Sequence, residues 1–489
     1  MLDKTIMKKW GLCLFSLLVL GVQPLIASTN RDSAVVKQAK QSVVSIDYKP
    51  TLTAYSIPLE GRTTGVLVDK QEGYVLTNGM IGEPTIAEYA VSFFNGTKAE
   101  AKICYSDPWL NFAILKLDPA IIPNEIIAVK ISDQDPIEGE AIFTITIPQE
   151  SKTQRTISRG RVSDTNFIKM IRMPEHLIAI SMYTNDGGVG SLVFNEKGEG
   201  IALSCYTSDT HKFGLHPAYL RYALSFLREN KTPIRKHIGS LLASYSLDSA
   251  VKYDRFLAKW QKAYVKKFQK AKNTTLVVSS ILKGSPSEGK LRVGDIIWAI
   301  DGKQLGPSLV DFDMEQNKST RGHILLTICR RGCFQDITIP LYNLEDRRIT
   351  RMVQFGGTVF FETDDFSSRL GGILPKTLTF CFAQPNTIFK EIFHSSFEKF
   401  KVYTLELVAV NGQPIYRLDE LITGIPIWIK QKYFTVDYIN HANEPVLGNS
   451  YLYVAQDRYK ANVAYDTTLG LPKIWIWNAV KLQWEEKSI

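Results

Sequence analysis

The amino-acid sequence predicts a mainly β protein, with one larger barrel or sandwich unit followed by two copies of a smaller strand-rich module. Three observations predict it. From Val35 to about Cys205, apolar runs of strand length alternate with polar or Gly/Pro turns at near-regular spacing. Further on, Gly294-Asp-Ile-Ile-Trp-Ala-Ile-Asp-Gly302 and Leu405-Glu-Leu-Val-Ala-Val-Asn-Gly412 each run a strand into an Asp-Gly or Asn-Gly tight turn, which needs residues at positive φ. The chain has 489 residues, 45% hydrophobic and 22% charged, which is globular composition with room for roughly two to four domains.

The N-terminal residues read as an export signal. Lys8 and Lys9 precede an apolar stretch from Leu12 to Val22, and Pro24-Leu-Ile-Ala-Ser28 offers small residues for cleavage. Residues 1–28 are therefore expected to be removed, leaving a periplasmic or secreted chain; a retained anchor is the alternative. Cys13 lacks a lipobox context. No later run reaches the ~18 uninterrupted apolar residues of a spanning helix, which excludes a polytopic membrane protein.

Strand-like segments follow: Ser42-Val-Val-Ser-Ile-Asp47, Thr64-Gly-Val-Leu-Val-Asp69, Tyr74-Val-Leu-Thr77, Phe112-Ala-Ile-Leu-Lys-Leu117 and Ala141-Ile-Phe-Thr-Ile-Thr-Ile147. Pro217 to Asn230 reads as a helix with Leu220, Leu224 and Leu227 on one face, ended by Lys231-Thr-Pro233. Leu257, Trp260, Tyr264 and Phe268 predict a second helix over Val251–Lys272, rich in Lys and Arg. Its aromatic stripe is expected to pack inward and its lysines to be solvated; contact with a membrane surface is the sharper alternative. Strand patterns return over Thr275–Leu341 and Phe355–Ala442. The aromatic-rich residues past Asn443 have no assigned place.

Formal net charge is +9, of which the leader supplies +2. That permits attraction to acidic surfaces without demanding nucleic acid, and no zinc-finger, RNA-binding or arginine-rich signature is present. No metal site or cofactor is expected. Cys329-Arg-Arg-Gly-Cys333 has hairpin spacing, which leaves open either a cross-strand disulfide or two reduced thiols.

The order and spacing of Gly65-Val-Leu-Val-Asp69, Gly73-Tyr-Val-Leu-Thr-Asn78, Phe112-Ala-Ile-Leu-Lys-Leu117, Ile157-Ser-Arg-Gly-Arg-Val-Ser163, Leu192-Val-Phe-Asn-Glu-Lys-Gly198 and Phe213-Gly-Leu-His-Pro217 resemble the HtrA/Deg family of exported trypsin-like serine proteases with PDZ domains. The resemblance implies a chymotrypsin-like double β-barrel over 29–232, PDZ-like α+β domains over 233–346 and 347–443, and a C-terminal extension of unknown role over 444–489.

At the catalytic positions the sequence departs from that family. Thr77-Asn-Gly-Met-Ile81 puts Met80 at the histidine position, Asn111 stands where the family has its aspartate, and Asp186-Gly-Gly-Val-Gly-Ser-Leu-Val193 puts Gly188 at the nucleophile position. Acyl transfer by this route needs a hydroxyl, an imidazole to take its proton and a carboxylate to orient that imidazole. None of the seven histidines precedes residue 176, so the first barrel has no imidazole to offer. Ser191 lies three residues past the nucleophile position, too far along the chain to substitute for it.

PDZ domains add an extended peptide as a strand and hold its carboxylate in a loop of backbone N–H groups. By resemblance that loop is Arg235-Lys236-His237-Ile238-Gly239-Ser240 in the first module and includes Gly356 and Gly357 in the second. The expected function is that of an exported, non-catalytic pseudoprotease that binds peptides or unfolded proteins as a holdase, scaffold or adaptor. An active serine-type endopeptidase in envelope protein quality control is the alternative. Expected partners are peptides, further copies of the chain (a trimer, by resemblance) or an active relative, with peripheral membrane contact and no nucleic acid.

Overall fold

The computed structural model describes residues 34–54, 60–82, 84–148, 154–168, 176–182, 188–207, 212–371, 373–382, 386–393, 404–440, 443–446, 450–453 and 457–489. The expected leader, Asp186, Gly187 and His211 lie outside the described residues.

After a short helix over 34–42, six strands close a first barrel: β1 (Val43–Thr53), β2 (Gly61–Asp69), β3 (Tyr74–Asn78), β4 (Thr85–Ser92), β5 (Lys98–Asp107) and β6 (Phe112–Lys116), in the order β1-β2-β3-β6-β5-β4. A second barrel repeats the design with β7 (Ala141–Thr146), β8 (Thr156–Ile168), β9 (His176–Met182), β10 (Leu192–Asn195), β11 (Gly200–Thr207) and β12 (Lys212–Leu215), in the order β10-β11-β12-β9-β8-β7. The chymotrypsin-like double barrel expected from the sequence is present.

The continuous apolar runs have a simple cause. Successive strand residues point to opposite faces, and here both faces are buried. Val44, Leu67, Val75, Ala113 and Leu115 fill the first barrel. Their neighbours Val43, Val66, Leu76, Phe112 and Ile114 join Phe143, Leu192, Phe194, Leu203 and Leu215 in a core shared between the barrels. The helix α1 (Pro217–Arg228) adds Leu220, Leu224 and Leu227 to that shared core. It starts where predicted, with Pro217 in its first turn and the His216 side chain accepting from Ala218 N.

The first PDZ-like module has β13 (Lys236–His237), β14 (Ser240–Ser246), β15 (Thr274–Ile281), β16 (Ile296–Ile300), β17 (Lys303–Gln304), β18 (His323–Arg330), β19 (Cys333–Pro340) and β20 (Tyr342–Asn343). Its main sheet runs β14-β15-β16-β18-β19, with β14 at one end; β13 pairs separately with β20. The predicted second helix is broken in two, α2 (Leu247–Tyr253) and α3 (Ala258–Lys267). The break falls at Arg255, held at φ 61°, and lets Phe256 turn into the core at 2% exposure. As expected, the aromatic stripe packs inward, Trp260 on Phe334 and Tyr264 on Trp298. A further helix, α4 (Leu309–Lys318), buries Leu309 and Phe312 on the opposite core.

Both predicted tight turns form. Ile300 pairs with Lys303 across Asp301-Gly302, and Val410 with Gln413 across Asn411-Gly412, all four turn residues at positive φ. The Cys329–Cys333 hairpin also forms, but Cys329 faces Phe334 and Arg330 faces Cys333. The two sulfurs therefore lie on opposite faces of the ribbon and both are free.

The second module contains β21 (Arg351–Phe355), β22 (Thr358–Glu362), the helix α5 (Asp365–Gly371), β23 (Leu378–Phe382), β24 (Thr404–Val410), β25 (Gln413–Pro414), the helix α6 (Leu418–Trp428) and β26 (Tyr433–Asn440). The C-terminal residues that the sequence left unplaced complete its sheet. After a small hairpin, β27 (Asn443–Val446) with β28 (Ser450–Tyr453), comes β29 (Asp457–Ala464), which pairs with β26 through eight residues. β30 (Lys473–Asn478) pairs with β21, and β31 (Gln483–Ser488) pairs with β30.

Candidate functional site

Met80, Asn111 and Gly188, the three positions that the resemblance sets against a catalytic triad, lie on turns that meet between the barrels. Asn78 ends β3 and caps the short turn Gly79–Ile81: its side chain accepts from Met80 N at 3.1 Å and donates to Thr63 Oγ1 at 2.7 Å. Thr63 Oγ1 in turn donates to Val189 O at 3.2 Å, which ties the Met80 turn to the Gly188 loop across the barrel interface. Asn111 sits at φ 53°, and a Cβ on Gly79 would lie 2.9 Å from its Cα, so the Met80 and Asn111 turns are in backbone contact. Asn111 Nδ2 donates to Cys205 O at 3.0 Å, one residue from Ser204, whose carbonyl accepts from Gly190 N at 2.7 Å. The Met80 side chain is 67% exposed.

The residue that sequence reasoning missed is Lys212. It opens β12, is 1% exposed, and places its ammonium 2.5 Å from where a Cβ on Gly188 would stand. A side chain at position 188 would meet this ammonium, which would have to shift to admit it. Desolvation lowers the Lys212 pKa to about 8, so the group is still largely protonated at neutral pH. The signal was a lysine opening a strand that is otherwise apolar and fully buried.

Lys212 Nζ lies 3.4 Å from Ser191 Oγ. Ser191 is fully buried and donates its hydroxyl hydrogen to Gly188 O at 2.6 Å, so its proton is held by a carbonyl and not offered to a base. The two described histidines of the second barrel, His176 and His216, are engaged elsewhere. His176 Nε2 meets Asn166 Oδ1 at 3.0 Å, and His216 caps α1. Desolvation lowers their pKa values to about 3 and about 4, so both are neutral.

In the first module, Arg235 to Ser240 run through the short strand β13 into the first residue of β14, and their side chains face the protein. Arg235 is 7% exposed and pairs with Asp107 of the first barrel at 3.2 Å. Lys236 Nζ donates to the carbonyls of Asn317 and Ser319, closing the C-terminal end of α4. His237 Nδ1 accepts from Gly239 N at 2.9 Å, and its ring lies 5.1 Å from Trp109. Ile238 is fully buried, and Ser240 pairs with Ile281. Gly239 is at φ +82°, where a Cβ would stand 2.1 Å from Ser285 Cβ; only glycine fits. β14, which follows, is the end strand of its sheet among the described residues.

In the second module, Gly356 and Gly357 are the two central residues of the β21–β22 hairpin, both at positive φ. Gly356 O accepts from Ile388 N and Thr387 Oγ1. The following strand, β22, is paired on both sides, with β21 and with β23.

Paired six-stranded barrels that share a core, followed by sheets of this topology, define a trypsin-like protein carrying PDZ-like modules. The family model for the trypsin-like peptidase domain matches residues 63–203, and that for the PDZ domain matches residues 262–329. The chain belongs to the HtrA/Deg family. It is 30% identical over 193 residues to the uncharacterized protein RP187 of Rickettsia prowazekii, covering 38% of this chain and 97% of that protein. It is 24% identical over 455 residues to the pro-apoptotic serine protease nma111 of Aspergillus oryzae, covering 89% of this chain but only 42% of the relative. Among solved structures, the HtrA-type protease AlgW with decapeptide aligns at TM-score 0.46 and 18% identity, covering 64% of this chain and 98% of that one. The serine endoprotease from Yersinia pestis aligns at TM-score 0.43 and 19% identity, with 64% and 98% covered.

Proposed function

We propose that this chain is an exported, non-catalytic member of the HtrA/Deg family that binds extended or unfolded polypeptide as a holdase or scaffold, alone, as an oligomer or beside an active relative. The observation that carries this reading is the Lys212 ammonium standing where a nucleophile at position 188 would lie. With Met80 and Asn111 at the other two positions, no group in that arrangement can pass a proton from a hydroxyl to a leaving amine. Peptide capture is assigned to the first module, by strand addition beside β14, which ends its sheet among the described residues. The AlgW structures with tripeptide and decapeptide supply the ligand class by analogy.

The test pairs turnover with binding. Purified chain is incubated with casein and with a serine-directed fluorophosphonate, and its affinity for fluorescent peptides with free apolar C-termini is measured by polarisation. The reading expects neither turnover nor labelling, with saturable peptide binding. Turnover at an ordinary enzymatic rate would overturn it.

One observation favours a second reading. The 3.4 Å approach of Lys212 Nζ to Ser191 Oγ, with an amine of lowered pKa, is the raw material of a Ser–Lys hydrolase. Against it stand the burial of Ser191 and its bond to Gly188 O. Fluorophosphonate labelling that disappears in Ser191→Ala would establish this alternative.

A further inference from the structure

The α2–α3 insertion of the first module carries a concentration of charge that peptide capture does not use. Leu247–Lys272 holds eight Lys and Arg residues against two aspartates, a surplus of six out of the chain's +9. Lys272 is paired, with Glu138 and Asp164. Lys252, Arg255, Lys259, Lys262, Lys266 and Lys270 are exposed and form no ion pair among the described residues. The two aspartates are engaged by neutral donors, Asp254 by Tyr245 Oη and Asp248 by Gln261 Nε2.

The packing fixes which way this charge points. Phe256, Trp260 and Tyr264 are stacked on Trp298 and Phe334, so the opposite side of α3 must face outward. Lys259, Lys262 and Lys266 recur there at intervals of three and four, on one helix face. Like charges at that spacing repel, and an opposing anionic surface would relieve the repulsion. The β18–β19 tip rests against the same region: a Cβ on Gly332 would lie 2.4 Å from Arg255 O, which brings Arg331 alongside. Beside the cations stand two large apolar side chains left in water, Tyr253 at 67% and Leu257 at 44% exposure.

We propose that this face docks the first module onto an anionic lipid surface. The lysines and Arg255 meet headgroup phosphates, and Tyr253 and Leu257 enter the headgroup layer. The apolar pair is what favours a bilayer over a rigid polyanion such as nucleic acid, which has no soft interior to receive it. The aromatic stripe plays no part, because it is already spent on the module's own core.

The experiment is co-sedimentation of the full chain with vesicles of phosphatidylcholine alone and with added phosphatidylglycerol, at low and physiological ionic strength. The N-terminal segment itself carries a net +2, so the readout is the part of the anionic increment that depends on the α3 lysines. The wild type is expected to gain binding with phosphatidylglycerol. Lys259→Glu/Lys262→Glu/Lys266→Glu should weaken that increment on the order of 100-fold. Tyr253→Ser/Leu257→Ser should remove the part that survives physiological salt. Unchanged circular dichroism and peptide affinity in both variants verify their fold. No anionic increment, an increment the charge-reversed chain retains, or binding to heparin without binding to vesicles would each overturn the proposal.

Discussion

The two PDZ-like modules use the same sheet topology in opposite ways. In the first, the strand after the glycine-containing loop, β14, ends its sheet among the described residues. In the second, the corresponding strand, β22, lies between β21 and β23, and β30 and β31 extend the sheet beyond β21. A strand paired on both sides has used its backbone hydrogen bonds internally. Their attachments differ as well. The first is fixed to the barrels through buried polar contacts: Arg235 with Asp107, Tyr219 Oη with Asp313, and Glu345 with Tyr105 Oη. The second is fixed by an apolar layer in which Leu52 and Ala54 of the first barrel meet Met352, Val359 and Phe361. The two modules thus differ both in where that strand sits in its sheet and in the balance of polar and apolar contacts that hold them to the barrels.

The largest effects should come from removing one anchor at a time. Arg235→Ala strands a buried carboxylate at Asp107 and is expected to cost about 3–5 kcal/mol. Phe361→Ala opens a cavity and should cost a similar ~3–5 kcal/mol. The two are told apart by rescue in chemical denaturation. Arg235→Met combined with Asp107→Leu should recover most of the ionic loss, because a packed apolar pair replaces a buried ion pair at little cost. If it does not, the contrast between the anchors fails.

An intermediate effect of opposite sign is expected at the barrel cleft, which serves as the reference for both modules. Lys212→Met removes a buried ammonium and should stabilise the chain by about 1–3 kcal/mol at neutral pH. The folded pKa of about 8 lies below the ordinary 10.5, so the unfolded chain binds the extra proton between those values. Wild-type stability should therefore rise with pH across that window, and Lys212→Met should lack the rise.

The smallest effect sharpens the comparison through pH. Burial raises the pKa of Glu345, and the nearby Arg348 guanidinium only partly offsets it. A carboxyl with a raised folded pKa contributes stability that is full below its ordinary value of 4.5 and is lost as pH rises through the folded value. Glu345→Gln should flatten the melting temperature over that mildly acidic range. Substitutions in the apolar anchor should leave the slope unchanged.

Much of this was legible in the sequence. Alternation over a few residues gave the barrel strands; Asp301-Gly302 and Asn411-Gly412 gave the turns at positive φ; and Met80, Asn111 and Gly188 could be compared with a catalytic pattern one position at a time. Arg235 shows the limit. Its charge suggested a carboxylate ligand, and it has one, but the carboxylate is Asp107 of the same chain, 128 residues earlier. The C-terminal strands were equally opaque, because β30 pairs with β21 across more than a hundred residues and nothing local in Lys473–Asn478 names that partner.

The sequence by itself determined the strand-rich elements, their turns and the residue types at positions 80, 111 and 188. Each of these depends on dihedral preference, side-chain alternation or residue identity within a short window. Only the tertiary structure decided that the Lys212 ammonium lies against Gly188, that Arg235 and Lys236 turn inward, and that β22 is paired on both sides while β14 ends its sheet among the described residues. Those outcomes depend on which distant groups packing brings within a few ångströms, and on where hydrogen-bonding capacity is left over once the chain has satisfied its own.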